Sequence, residues 1–153
     1  MKAPTRSTLS GRAYRDLQNL ARRQKRPTDE LLALYALEGY LDRLSRSPYK
    51  TDFVLKGGVL LAAYDIRRPT RDIDFHARGI GNDEKVVLAA AREIVGVDRD
   101  DGLQFDPDGA TAETIREGNG HSGVRVVMPA RLATARIAFN VDLNVGDPVW
   151  PAP

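Results

Sequence analysis

LKGGVLLAAYDIRRPTRDIDF, residues 55–75, is the stretch of this chain that decides the fold. It runs from a short apolar segment through paired glycines into a short apolar helix and then a loop. Its last residues alternate strictly, so that Asp72 and Asp74 share one face of a strand. Ile73 and Phe75 share the other face. The stretch therefore predicts a strand, a glycine turn, a helix and a half-buried strand that carries two carboxylates.

The paired glycines and the helix after them suit a phosphate group. Gly57 and Gly58 let backbone N–H groups approach a phosphate without an obstructing Cβ atom. The N-terminus of the helix that follows adds the positive end of its dipole. Four basic residues crowd the same stretch and can offset the charge of a triphosphate: Lys56, Arg67, Arg68 and Arg71.

The two carboxylates suit a metal ion. Asp72 and Asp74 are two residues apart on a strand, project from the same face and can share divalent cations. Mg²⁺ binds through one or two carboxylates together with substrate phosphates. A third carboxylate on a neighbouring strand would complete a two-metal site for in-line phosphoryl transfer, and Asp142 has the strand-face parity for it. His76 is expected on the opposite face, in a structural role.

Each of these elements also has a simpler interpretation. Gly-Gly is common turn chemistry, and Asp-x-Asp occurs in glycosyltransferases, phosphatases, calcium loops and ordinary surfaces. Phe75 and His76 do not suit haloacid-dehalogenase-type phosphatases, and Ile73 and Phe75 do not meet the ligand pattern of a calcium loop. The ordered combination of glycines, helix and Asp-x-Asp favours a nucleotide site.

Regular elements are predicted on both sides of this stretch. Apolar residues at helical spacing predict one helix over residues 10–23 and a second from Pro27 onwards. Asn82 is expected to cap a third helix that ends near Val95. Residues 98–109 are acidic and rich in turn formers. Short strands are predicted at residues 53–55, 71–76, 113–116, 124–128 and 136–145.

The order of these elements is α-α-β-α-β-α-β-β-β. It predicts an α+β fold in which a mixed β-sheet is flanked by helices, with two of the helices at the N-terminus. A chain of 153 residues has the length of one domain. We expect a single domain over residues 1–153, with a helical N-terminal segment at 1–50 and a sheet-containing core at 51–153.

Composition narrows the class of protein. Hydrophobic residues make up 42% and charged residues 29% of the chain, as in globular proteins. No apolar run approaches the roughly 20 residues that cross a bilayer, and the N-terminus has no apolar signal region. Cysteine is absent, which excludes disulfide scaffolds, thiol catalysis and cysteine-based zinc sites. We expect a cytoplasmic protein without a membrane partner.

Charge is unevenly distributed along the chain. Residues 1–50 hold 11 lysines and arginines against 5 acidic residues, whereas residues 51–153 hold 12 against 16. One interpretation is a basic part that faces nucleic acid and an acidic part that holds metal. The other is a solvated helix surface beside an acidic lobe.

Taken in order, these motifs resemble the AbiEii/AbiGii family of nucleotidyltransferase toxins, within the DNA polymerase β-like nucleotidyltransferase superfamily. The resemblance covers nearly the whole chain and is most specific from Lys56 to Phe75. It extends through residues 41–47, 53–58, 68–75, 101–102, 123–126 and 141–149.

The resemblance implies an activity. It implies a Mg²⁺-dependent enzyme, with two metal ions, that transfers a nucleotide from a nucleoside triphosphate to an acceptor such as tRNA. It also implies one half of a bacterial toxin–antitoxin pair linked to abortive infection and phage defence, with a separate antitoxin protein as its partner. The implied nucleotide-binding residues are Lys56, Gly57, Gly58, Arg68 and Arg71. The implied catalytic and metal-binding residues are Asp72, Asp74 and Asp142.

Two alternatives of other classes stay open. Full-length relatives continue into a helical C-terminal half with a Lys and an Asp that support activity, and this chain stops at Pro153. A truncated, catalytically inactive lobe that binds nucleotide or a protein partner is therefore the first alternative. The second is a nucleic-acid-binding module formed by the basic N-terminal helices alone.

Overall fold

Two of the three helices in the described part of the chain begin at side-chain caps. The computed structural model describes residues 4–55, 72–77, 83–116 and 122–144. Within these ranges the helices are α1 (Leu9–Gln24), α2 (Thr28–Ser45) and α3 (Glu84–Val95). The Thr8 hydroxyl accepts a hydrogen bond from the N–H of Gly11 at 2.9 Å, and the Asp83 carboxylate accepts one from the N–H of Lys85 at 2.8 Å. Each side chain satisfies an N–H group that has no partner within its helix.

The first two helices confirm the predicted ones, and the third needs one correction. Pro27 stands at the cap position of α2, where its fixed φ prepares the first turn, and Asp29 and Glu30 lie in that turn. The cap of α3 is Asp83, and the expectation that Asn82 is the cap was wrong. Asn and Asp cap helices about equally well, so residue type alone did not choose between two adjacent positions.

The described strands form one mixed sheet, as predicted, and it has six strands where five were expected. Its order is β1-β2-β6-β5-β3, and β4 also pairs with β5. Strands β2 and β6 run parallel, and every other described pair is antiparallel. The strands are β1 (Phe53–Leu55), β2 (Asp72–Ala77), β3 (Leu103–Phe105), β4 (Thr111–Arg116), β5 (Ser122–Leu132) and β6 (Ala135–Asn144).

Strand β5 is longer than predicted because two strands share one of its edges. Residues 122–127 pair with β4, and residues 130–132 pair with β3. The short strand β3 lies in the acidic stretch that was expected to hold only turns. The helix predicted after the glycine pair lies outside the described residues.

One face of the sheet forms the core with the helices. The alternating residues Ile137, Phe139, Val141 and Leu143 of β6 are all buried on this face, as their spacing predicted. The ring of Tyr40 in α2 meets the ring of Phe139 edge-on, with centroids 5.8 Å apart. Because side chains alternate along a strand, the residues between these buried ones lie on the opposite face of the sheet, which carries polar side chains.

Candidate functional site

Strand β2 presents its polar side chains on the face opposite the core. Ile73 and Phe75 are buried, and Asp72 and Asp74 are exposed. His76 follows at the same two-residue spacing within the strand, so it shares the face of the aspartates. The expectation that His76 points to the opposite face was wrong. The period of two that placed the aspartates was enough to place the histidine as well.

The parallel pairing of β2 with β6 brings distant polar residues together. In this register Asp72 lies opposite Asn140, and Asp74 lies opposite Asp142. The side-chain amide of Asn140 donates a hydrogen bond of 2.7 Å to Oδ1 of Asp72. The predicted face of Asp142 is therefore confirmed, and its strand is the direct neighbour of the Asp-x-Asp strand.

Asp142 is engaged by an arginine that was not among the predicted site residues. Arg125 on β5 lies directly opposite Asp142 in the antiparallel register. Its Nε donates to Oδ1 and its Nη2 to Oδ2, both at 2.9 Å. The hydrogen bonds to Asp142, followed by the negative charge of Asp142, raise the pKa of Arg125. The pair with Asp142 therefore stabilises the charged form of the guanidinium.

The next pair along the same face, His76 and Asn144, contains two buried polar atoms. His76 lies opposite Asn144, which is 2% exposed. Among the described residues, neither His76 Nδ1 nor Asn144 Oδ1 has a hydrogen-bond partner. Gly123 lies on the other side of Asn144, and a Cβ atom there would come within 2.6 Å of Asn144 Oδ1. Glycine at this position therefore makes room for the Asn144 amide.

The far end of the same face is basic. Arg131 and Arg136 are both exposed and lie directly opposite each other where β5 turns into β6. Neither has an ion-pair partner in the described part of the chain. Six residues of β6 separate Arg136 from Asp142, which corresponds to about 20 Å along the strand.

Five of the predicted site residues cannot be placed. The glycine pair and its basic neighbours lie outside the described residues: Lys56, Gly57, Gly58, Arg68 and Arg71. Their assignment to the nucleotide stays a prediction, and so does the catalytic assignment of Asp72, Asp74 and Asp142.

The donor set on the polar face fits a metal ion held by two carboxylates. Asp72 and Asp74 are hard oxygen ligands of the kind that Mg²⁺ prefers, and substrate phosphates complete such sites. Both oxygens of Asp142, in contrast, are already bound by Arg125. Within residues 4–55, 72–77, 83–116 and 122–144, no three His, Asp or Glu side chains are placed to hold a metal ion together. The third predicted ligand therefore does not join the pair in this arrangement.

Comparisons with known proteins agree with this arrangement. A family model described as "Nucleotidyl transferase AbiEii toxin, Type IV TA system" matches residues 39–153, which contain every described strand and α3. No curated protein and no solved structure matches the chain. None of the described helices is both long enough and apolar enough to span a bilayer. The α+β arrangement, with its mixed sheet, is that of a nucleotidyltransferase-like fold, and the chain belongs to the AbiEii family of nucleotidyl transferase toxins from type IV toxin–antitoxin systems.

Proposed function

We propose that this protein is a Mg²⁺-dependent nucleotidyltransferase that moves a nucleotide from a nucleoside triphosphate to an acceptor such as tRNA. We also propose that a cognate antitoxin protein restrains it in a cytoplasmic toxin–antitoxin pair linked to phage defence. The observation that carries the proposal is the parallel register of β2 and β6. It gathers Asp72, Asp74 and Asp142 on the polar face of the sheet.

The two strand aspartates are the proposed metal ligands. When bound, Mg²⁺ supplies charge neutralisation to the triphosphate and to the pyrophosphate that leaves. Asn140 fixes one oxygen of Asp72 through its amide, which orients the carboxylate on the polar face. Hydrogen-bond partners of this kind orient a metal ligand, and they commonly contribute about 10- to 100-fold to metal affinity.

The proposed reaction is an in-line displacement at the α-phosphorus. The oxygen of the acceptor hydroxyl forms the new bond to phosphorus and its proton is released to solvent, while the bond to the leaving pyrophosphate breaks. Lys56, Arg68 and Arg71 are proposed to stabilise the negative charge of the triphosphate, together with the N–H groups of Gly57 and Gly58.

The basic end of the polar face supports a nucleic-acid acceptor. Arg131 and Arg136 face solvent without ion-pair partners among the described residues, and about 20 Å along the strands separates them from the level of Asp74. An acceptor strand with its reacting end at Asp72 and Asp74 would place phosphates a few nucleotides away near these two arginines. Guanidinium groups suit phosphate because their planar fork donates two hydrogen bonds at once.

A labelling experiment tests this proposal. Wild-type protein is incubated with total tRNA, Mg²⁺ and each of the four α-labelled nucleoside triphosphates in turn. The Asp74→Ala variant is run beside it, with Asp16→Ala as the matched control, since Asp16 is an exposed acid on α1 with a 69% exposed side chain. We expect label in tRNA with the wild type and Asp16→Ala and only background with Asp74→Ala. Equal label with Asp74→Ala would contradict the assignment.

An inactive binding lobe is the second candidate. It is favoured by the Arg125–Asp142 pair, which leaves the described residues without a three-ligand metal site. Folded wild-type protein that binds triphosphate in calorimetry but labels no acceptor would support this candidate.

A further inference from the structure

The Arg125–Asp142 pair presents a cation, not an anion, to the polar face. The Asp142 side chain is 7% exposed, and that of Arg125 is 34% exposed. Both carboxylate oxygens point into the fork made by Nε and Nη2. A guanidinium has five N–H donors, so three remain for another acceptor. Both oxygens of the buried carboxylate are therefore engaged by the arginine, whereas the more accessible guanidinium can still donate.

The pair belongs to a row of charges that crosses four strands. The registers place Glu113, Arg125, Asp142 and Asp74 side by side on β4, β5, β6 and β2. With about 4.8 Å between neighbouring strands, the backbone of Arg125 lies about 10 Å from that of Asp74. Arg125 is the one cation of the described polar face at this distance, because the other two arginines lie at the opposite end of β5 and β6.

We propose that Asp142 is a positioning residue for Arg125 and not a metal ligand, and that Arg125 contacts the phosphates of the bound nucleotide. This inference rests on the proposed function, since it assigns a role beside the metal pair Asp72 and Asp74. The charge of a carboxylate that holds a guanidinium at 2.9 Å through both oxygens is already compensated, and a divalent ion bound there would be repelled by the guanidinium. A guanidinium fixed by a buried partner is, in turn, well suited to bidentate recognition of phosphate.

Metal binding without substrate tests the first half of the proposal. Mn²⁺ alone is titrated into the wild type, Asp74→Asn and Asp142→Asn, and free Mn²⁺ is followed by electron paramagnetic resonance. We expect Asp74→Asn to weaken Mn²⁺ binding at least about tenfold, whereas Asp142→Asn changes it less than about twofold. A loss in Asp142→Asn as large as that in Asp74→Asn would make Asp142 a ligand and overturn the proposal.

Phosphate binding tests the second half. Inorganic tripolyphosphate is titrated calorimetrically at saturating Mg²⁺ into Arg125→Gln and Asp142→Asn, with Arg15→Gln on α1 as the matched control. We expect a loss of about tenfold in each of the first two variants, an intermediate loss in Arg125→Lys, and no change in the control. Unchanged affinity in Arg125→Gln would overturn the proposal.

The double variant Arg125→Gln/Asp142→Asn shows whether the two residues act as one unit. It removes both charges together, so no unpaired charge is left on the sheet. If Asp142 acts through Arg125, the double variant loses no more tripolyphosphate affinity than Arg125→Gln alone. Losses that multiply would show that Asp142 acts independently.

The two proposals fail in different ways. Wild-type protein that binds no Mn²⁺, or Asp74→Asn that binds it as well as the wild type, contradicts the proposed function. The expected loss of Mn²⁺ binding in Asp74→Asn, combined with an Arg125→Gln variant that binds tripolyphosphate like the wild type, contradicts only the role of Arg125.

Discussion

Arg43 of α2 binds Asp101 through two parallel hydrogen bonds, from Nη1 to Oδ2 at 2.7 Å and from Nη2 to Oδ1 at 3.0 Å. The arginine is 3% exposed, and its remaining donors reach the carbonyls of Gly39 and Val97. Asp101 also accepts from the N–H of Leu103, the first residue of β3. One buried ion pair thus fastens the loop before β3 to the central helix.

Neutralising this carboxylate should destabilise the fold. We expect Asp101→Asn to lower the free energy of unfolding by about 3 kcal/mol, because Arg43 would stay buried without a counter-charge. The matched control is Asp42→Asn, which breaks exposed contacts to Arg46 and Arg99 and should cost less than about 1 kcal/mol. Urea unfolding monitored by circular dichroism measures both. Equal losses in the two variants would contradict the structural role of Asp101.

Two tyrosines of α2 should respond in opposite directions to loss of the hydroxyl. Tyr40 is fully buried, burial raises its pKa, and its hydroxyl has no hydrogen-bond partner among the described residues. Tyr40→Phe should therefore raise the free energy of unfolding by up to about 1 kcal/mol. The Tyr35 hydroxyl donates a hydrogen bond to the carbonyl of Asp101 at 2.6 Å. Tyr35→Phe should therefore lower the free energy of unfolding by about 1 kcal/mol. Thermal unfolding of the two variants shows the direction of each change. A melting temperature of Tyr40→Phe below that of the wild type would contradict the prediction.

A methyl group at Gly123 should disturb the polar face. Its Cβ would lie 2.6 Å from both the Leu143 carbonyl oxygen and Asn144 Oδ1, and the first of these belongs to the backbone. We expect Gly123→Ala to lose about 2 kcal/mol of unfolding free energy through overpacking. Gly96→Ala serves as the control, because Gly96 has an ordinary φ of −76° at the end of α3 and should change stability by less than about 1 kcal/mol. Both values come from denaturant unfolding.

Asn140 should affect metal binding without being a ligand. Its amide holds Asp72 at 2.7 Å, so Asn140→Ala would free the carboxylate to rotate. We expect Mn²⁺ affinity to fall about tenfold, with the exposed Asn19→Ala as the control that does not change. Mn²⁺ affinity equal to that of the wild type would show that Asp72 needs no such support, or that it is not a ligand.

The basic end of the polar face should matter for the acceptor only. Replacing Arg131 and Arg136 together by Gln should raise the KM for tRNA at least about fivefold and flatten its salt dependence, because two phosphate contacts are lost. The KM for the triphosphate should not change. If both constants shift together, the two arginines do not mark a separate acceptor surface.

Local patterns predicted most of the elements. The helical spacing of apolar residues before residue 45 predicts which side of each helix faces the core. The alternation in β6 does the same for the strand, whose core residues are Ile137, Phe139, Val141 and Leu143. Strand β3 was not predicted, because its three residues lie within an acidic stretch that is rich in turn formers. Its position depends on the Arg43–Asp101 pair, whose members lie 58 residues apart.

The sequence predicted the carboxylates of the candidate site, and it did not predict the side chains that bind them. Asp72 and Asp74 lie within one short motif, and alternation alone sets the face of Asp142. Arg125 has no such motif, since its partner comes from pairing β5 with β6. The bond from Asn140 to Asp72 joins residues 68 positions apart, so only the completed sheet reveals it.

The parallel pairing of β2 with β6 also sets an order of assembly during synthesis. A chain emerges from the ribosome from its N-terminus, so Asp72 and Asp74 are exposed long before residues 135–144 exist to pair with them. A nascent or prematurely released chain that ends before β6 carries the Asp-x-Asp motif but neither Asn140 nor Asp142. The polar face therefore forms only when the last described strand has been made, and interrupted translation yields fragments without it.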